Sequence, residues 1–217
     1  MTSLRTRQRL IERLTEKGIK DVRVLEAMRD IPRHLFLDEA LASRAYEDLA
    51  LPIGHQQTIS QPYIVARMTE ILIEENKLET QPLGQALEVG TGCGYQAAIL
   101  SRFCKSVHTL ERIKALHEKA KKNLNKLKIR NVKLVFDDGT EFKKVDEKYD
   151  AILFAAAPLE IPSYFLDKLK IGGRLIAPIG GGEVQNLSLI KKIDKKDYDT
   201  EIIEQVLFVP FLGGRVQ

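Results

Sequence analysis

The stretch that most constrains this chain is Leu87-Glu88-Val89-Gly90-Thr91-Gly92-Cys93-Gly94-Tyr95. A short apolar strand, Ala86 to Val89, runs into three alternate glycines and then into a helical pattern from Tyr95 to Arg102. Glycine lets a backbone approach a ligand closely and take dihedrals that a Cβ forbids. Open α/β sheets bind nucleotides at such strand ends, where the strand order reverses. The dinucleotide fingerprint GxGxxG would need a glycine at position 95, where Tyr95 stands. The spacing here is GxGxG, and an acid, Glu88, stands two positions before the first glycine.

The pattern around the turn repeats strand and helix. Strands are expected at Ala86–Val89, Val107–Leu110, Val132–Phe136, Tyr149–Phe154 and Gly172–Pro178. Helices are expected between them, among them Ile113–Leu127, where Leu116, Ala120, Leu124 and Leu127 mark one apolar face. Leu187–Ile193 and Ile202–Val209 read as two closing antiparallel strands around a polar turn from Asp194 to Thr200, their place in the sheet order left open. The expectation is a Rossmann-like α/β fold: a doubly wound, mostly parallel, seven-stranded sheet with helices on both faces.

Before the sheet comes an N-terminal helical extension. Leu10, Ile11 and Leu14 suggest a first helix stopped by Gly18, and Asp21 can cap a second that ends before Pro32. From Pro32 to Gln61 the chain reads as loop. Ser60-Gln61-Pro62 then looks like a helix entry, with Ser60 as N-cap and Pro62 in the first turn. Two regions are expected, residues 1–80 and residues 81–217.

Composition narrows the class. The chain has 217 residues, 34 Lys and Arg against 30 Asp and Glu, and 44% hydrophobic residues, a globular balance. Two cysteines cannot build a disulfide framework, and no zinc-ligand spacing is present, so no metal is expected. The longest apolar run, Ala151–Leu159, falls far short of the roughly 18 residues of a membrane span. Arg5, Arg7, Arg9 and Glu12 interrupt the N-terminus, which lacks the apolar core of a signal peptide. A cytoplasmic monomer with no membrane partner is the expectation. The basic excess concentrates between Arg112 and Lys133, on the outer face of the expected helix, with no aromatic residues interleaved for base stacking. It reads as a solvated face, and no nucleic-acid partner is expected.

The Glu88–Gly94 turn resembles motif I of class I methyltransferases, which bind S-adenosyl-L-methionine. Two further positions agree: Glu111, which ends the second strand, and Asp138-Gly139 after the third. Leu51 to Met68, with Thr58-Ile59-Ser60-Gln61-Pro62 at its centre, closely resembles the acceptor segment of protein-L-isoaspartate O-methyltransferases. The likeness includes Ile31-Pro32-Arg33, Ala155-Ala156-Ala157-Pro158 and Phe208-Val209-Pro210-Phe211, so it spans nearly the whole chain.

The resemblance implies transfer of a methyl group from S-adenosyl-L-methionine to the α-carboxylate of L-isoaspartyl residues in damaged proteins and peptides, leaving S-adenosyl-L-homocysteine. It makes residues 1–80 the acceptor-recognition segment and 81–217 the cofactor-binding core with its closing strands. It implies Ser60 as the catalytic serine and Thr58, Ile59 and Val209 at the substrate. It implies Glu88, Gly90, Thr91, Gly92, Glu111, Asp138 and Gly139 at the cofactor. This chain departs from the family at Gln56, where glycine is common, and His55 and Gln56 are left out of the site. The alternatives are a methyltransferase acting on RNA or a small molecule, an NAD-dependent oxidoreductase and a cofactor-binding module without turnover. Ala155-Ala156-Ala157-Pro158 offers none of the amide and aromatic groups that base-methylating enzymes carry there.

Overall fold

The computed structural model describes residues 4–73, 83–140, 142, 146–182 and 184–217. The boundary expected at 80/81 lies outside them. Two helices open the chain, α1 (Leu4–Glu16) and α2 (Val22–Asp30). The Asp21 carboxylate accepts from the Arg23 amide at 2.9 Å and caps α2, as expected. Glu70 of α3 (Pro62–Ile73) accepts from the amides of Lys20 and Asp21 at 2.6 and 2.7 Å, tying the α1–α2 turn to α3.

Two features differ from the loop expected between Pro32 and Gln61. Short 3-10 segments occupy Arg33–Phe36 and Glu39–Arg44. A tight hairpin then forms from β1 (Leu51–Gly54) and β2 (Gln57–Ile59), with Leu51 opposite Ile59. His55 and Gln56 turn it with φ of 54° and 57°, both left-handed, as a two-residue primed turn requires. Strands this short show too little alternation to be recognised in sequence.

The main sheet contains β3 (Leu83–Val89), β4 (Cys104–Glu111), β5 (Val132–Phe136), β6 (Tyr149–Phe154), β7 (Leu169–Ile179), β8 (Gln185–Asp194) and β9 (Asp197–Val206). Their order is β5-β4-β3-β6-β7-β8-β9. β3 to β7 pair in parallel, and β8 and β9 close the sheet antiparallel. Helices α4 (Tyr95–Leu100), α5 (Lys114–Lys126) and α6 (Ser163–Asp167) lie in the β3–β4, β4–β5 and β6–β7 crossovers. The strand order reverses between β3 and β6, which places the reversal beside the glycine turn.

Alternation along the strands explains the two covered faces. Ala86, Ala151, Leu153 and Ile176 point into a core shared with α1 to α5. Leu87, Val89, Ile152, Phe154 and Leu175 point into a second core with Phe142 and Phe165. The last strand differs from expectation at both ends. Asp197 to Thr200 pair with β8 instead of turning, because a solvated edge strand tolerates polar side chains, and Asp199 lies opposite Lys191. Leu207 to Val209 leave the sheet: the Gln185 side chain takes both the amide and the carbonyl of Phe208, at 2.6 and 3.0 Å. No helix among the described residues is long and apolar enough to cross a membrane.

Candidate active site

The carboxyl ends of β3, β4 and β6 open into a cleft of about 840 Å³. Its floor is the glycine turn, held by β4: the amides of Gly90 and Thr91 donate to the Leu110 carbonyl at 2.9 and 3.0 Å. Gly90 has φ +100°, and a Cβ there would lie 3.5 Å from that of Ala155, so the turn closes against the end of β6. Gly94 at φ +90° lets α4 pack against α5, since its Cβ would stand 3.2 Å from that of Ala120.

Acids dominate the cleft. Among the described residues, Glu88, Glu111, Asp137 and Asp138 line it against one base, Arg112. Glu88 is fully buried; the Thr109 hydroxyl donates to Oε2, while Oε1 has no hydrogen-bond partner among the described residues. Burial pushes its carboxyl up to about 8, a rise that the Thr109 hydrogen bond opposes and the nearby Glu111 charge reinforces. Burial also raises Glu111, whose two oxygens accept from the amides of Gly92 and Ile113, each at 2.8 Å. For Asp138 burial acts upward, yet hydrogen bonds from Thr140 and from the Gly214 amide hold the carboxyl below its usual range.

A second groove of about 1160 Å³ runs beside the cleft, lined by Leu49, Tyr63, Val184, Glu204 and Leu207 among others. The two share Thr58, Ser60, Ala155 and Val209 as a common wall. The C-terminal segment reaches this wall through Ala157: its amide donates to the Val209 carbonyl and its carbonyl accepts from the Phe211 amide, each at 2.8 Å.

Of the residues singled out from sequence, Thr58, Ile59, Ser60, Glu88, Gly90, Thr91, Gly92, Glu111, Asp138 and Val209 all line the cleft. Gly139 does not. It lies behind the wall, where a Cβ would meet the Phe165 ring at 3.2 Å, and its amide donates to Asp137. Ser60 is not the helix cap that its position suggested. Asp48 accepts from the Tyr63 amide at 2.8 Å and supplies that cap, and among the described residues no side chain hydrogen-bonds to the Ser60 hydroxyl.

Sequence reasoning missed Asp137, Arg112 and Asp48. Asp137 carried a signal in its place beside Asp138; Asp48 carried none, since its partners lie elsewhere along the chain. His55 and Gln56 stay outside both clefts. Cys93 lines the first cleft, but burial raises its thiol to about 11, and Cys104 is buried and free. Neither thiol is poised to ionise.

The geometry defines an α/β protein with a nucleotide-type cleft at the switch point of its sheet, opening beside a second groove. Residues 5–216 match the family described as protein-L-isoaspartate(D-aspartate) O-methyltransferase, and the chain belongs to that family. A protein-L-isoaspartate O-methyltransferase of Pseudomonas paraeruginosa is 51% identical over the full length of both chains. One from Pseudomonas syringae pv. tomato is 50% identical, again over both full lengths. Among solved structures, the Plasmodium falciparum protein-L-isoaspartate O-methyltransferase in complex with S-adenosyl-L-homocysteine superposes with a TM-score of 0.79. That match is 28% identical and covers 94% of this chain and 96% of the other.

Proposed function

We propose that the two clefts are the cofactor and acceptor halves of one active site, meeting at Thr58, Ser60, Ala155 and Val209. The protein is an S-adenosyl-L-methionine-dependent enzyme that methylates the α-carboxylate of L-isoaspartyl residues in damaged proteins and peptides. The observation that carries the site assignment is the shared wall, with a serine hydroxyl left uncommitted on it.

The first cleft suits the donor. S-adenosyl-L-methionine supplies a methyl group activated by a positive sulfur. The Oε1 of Glu88, unpartnered among the described residues, is a buried acceptor suited to a cationic ligand, which would draw the carboxyl into its ionised form. Gly90, Thr91 and Gly92 let the ligand approach the backbone, and Glu111 and Asp138 stand at the ends of the next strands to accept its hydroxyl and amino groups. In this reading Gly139 shapes the turn at Asp137 and does not touch the ligand.

The acceptor needs no general base. An α-carboxylate has a pKa near 4 and is already ionised at neutral pH. The enzyme's task is therefore alignment and exclusion of water, a contribution that can reach several kcal/mol. Ser60 donates a hydrogen bond to one carboxylate oxygen and directs the other at the methyl group, while Thr58, Ile59 and Val209 hold the peptide.

The test is transfer of labelled methyl groups to two peptides that differ only in an isoaspartyl or an aspartyl linkage. The isoaspartyl peptide alone should be labelled. Equal labelling of both, or labelling of RNA instead, overturns the assignment. Ser60→Ala should lower kcat/KM roughly 10- to 100-fold, the value of a hydrogen bond to a charged group, with cofactor affinity unchanged. Loss of cofactor affinity as the main defect would remove Ser60 from the acceptor site.

A further inference from the structure

Helix α3 begins at Pro62, and its amides near the start need partners from outside the helix. The nearest candidate in sequence, Ser60, does not supply one. Asp48, 7% exposed, reaches across from the preceding turn instead. Its Oδ1 accepts from the Tyr63 amide at 2.8 Å. Its Oδ2 accepts from the Gln61 side chain at 3.2 Å and from Lys17 Nζ at 2.5 Å. The Gln61 side chain also donates to the Asp48 carbonyl at 2.9 Å. The next residue is held as well: the buried Arg33 lies over the Tyr95 ring and donates to the Leu49 carbonyl at 3.3 Å.

Residues 48 and 49 are thus pinned from two sides, and Asp48 grips the two sides of Pro62, at Gln61 and Tyr63. Ser60 is the residue immediately before that grip. A carboxylate at a helix N-terminus is favoured by the helix dipole, so this arrangement is stable without help from the serine. The consequence is a division of labour. A serine that caps its own helix spends its hydroxyl on a backbone amide; a serine beside a helix capped from elsewhere keeps it for a ligand.

We propose that Asp48 is a positioning residue for the acceptor serine: it caps α3 in place of Ser60, fixing the Ser60-Gln61 backbone and leaving the Ser60 hydroxyl for the substrate carboxylate. The proposal rests on the acceptor role given to Ser60 above. It makes Asp48 part of the reaction without contact to either substrate.

The test is a double-mutant cycle with Ser60→Ala, read as kcat/KM for the isoaspartyl peptide and as cofactor affinity. Asp48→Ala should lower kcat/KM about 30-fold, within the roughly hundredfold range of an ångström-scale misplacement, with cofactor affinity within about twofold. Asp48→Asn keeps an oxygen for the Tyr63 amide and should recover activity to within about fivefold of the parent. The Ser60→Ala/Asp48→Ala double variant should be no more than about twofold worse than Ser60→Ala alone, because both remove one interaction.

Multiplying losses in the double variant, or a parallel fall in cofactor affinity, would mark Asp48 as merely structural and overturn the proposal. So would unchanged transfer in Asp48→Ala beside an impaired Ser60→Ala. Unchanged transfer in Ser60→Ala would overturn the serine's role and this proposal together. Where Asp48→Ala does not fold, Asp48→Asn carries the same cycle: its smaller loss should vanish in the Ser60→Ala background, and persistence there overturns the proposal.

Discussion

The two halves of the candidate site are built in opposite ways. The cofactor cleft is local: Glu88 to Gly92 are consecutive, and Glu111 and Asp138 follow at the ends of the next two strands. Each is placed by the strand it ends, and the sheet places the strands. The acceptor wall is assembled from afar. Ser60 and Thr58 line the groove together with the distant Val209, Asp48 caps α3, and Arg33 holds Leu49. A local site depends on backbone conformation at a few glycines; an assembled one depends on hydrogen bonds between segments. The two halves should therefore fail differently when mutated.

The sharpest contrast is expected at Gly90. A valine there must adopt φ near +100°, a region closed to β-branched residues, with its Cβ 3.5 Å from that of Ala155. The turn must shift and carry its amides with it. Gly90→Val should weaken cofactor binding roughly 100-fold, the scale of an ångström-level displacement of a binding group. Isoaspartyl peptide binding, measured separately by fluorescence polarisation, should change less than about threefold on that same scale. Equal loss of both affinities would break the comparison, since the halves would then move as one.

Glu88 gives the cofactor half a signature in pH. Its carboxyl, pushed up to about 8 by burial, is largely protonated in the free protein at neutral pH. A cationic ligand prefers the carboxylate and lowers that pKa on binding. Affinity for S-adenosyl-L-methionine should therefore rise with pH below 8, by up to about tenfold per unit, and level off above it. Calorimetric titrations at pH 6, 7 and 8 read this directly. Glu88→Gln should flatten the profile. A slope that survives in Glu88→Gln belongs to another group, and the account of the orphaned oxygen fails.

The same contrast governs what the sequence made legible. Val132–Phe136 and Tyr149–Phe154 form at the residues expected, because the short apolar runs within them, Leu134–Phe136 and Ala151–Phe154, are each entered from a polar residue and have one reading in a covered sheet. The cleft residues Glu88, Gly90 and Gly92 were legible for a related reason: a strand, a turn and a helix in immediate succession fix one another. Gly139 does not line the cleft beside Asp138, because adjacency in sequence does not say which residue faces it. Asp48 was invisible. Its cap spans 15 positions, and no periodicity connects an acid in a loop with the amide of a later helix. The Leu51–Ile59 hairpin was hidden by its brevity and by a turn, His55-Gln56, without the usual asparagine or glycine.

That turn supplies the smallest test and the one most specific to the acceptor half. Gln56 is exposed, lines neither cleft and sits at φ 57°, where a non-glycine side chain is strained by about 1–2 kcal/mol. Glycine relieves that strain and costs about 0.5–1 kcal/mol in added freedom of the unfolded chain. Gln56→Gly should therefore stabilise the protein by about 0.5 kcal/mol, near 1–2 °C in Tm for a chain of this size. The hairpin keeps its register, because Leu51 still faces Ile59 and both remain buried. Ser60 then stays under the control of Asp48, so kcat/KM for the isoaspartyl peptide should hold within about twofold, as for a surface change away from the site. A rise in Tm with a larger change in turnover would show that the strained turn, as well as the cap on α3, sets the position of the acceptor serine.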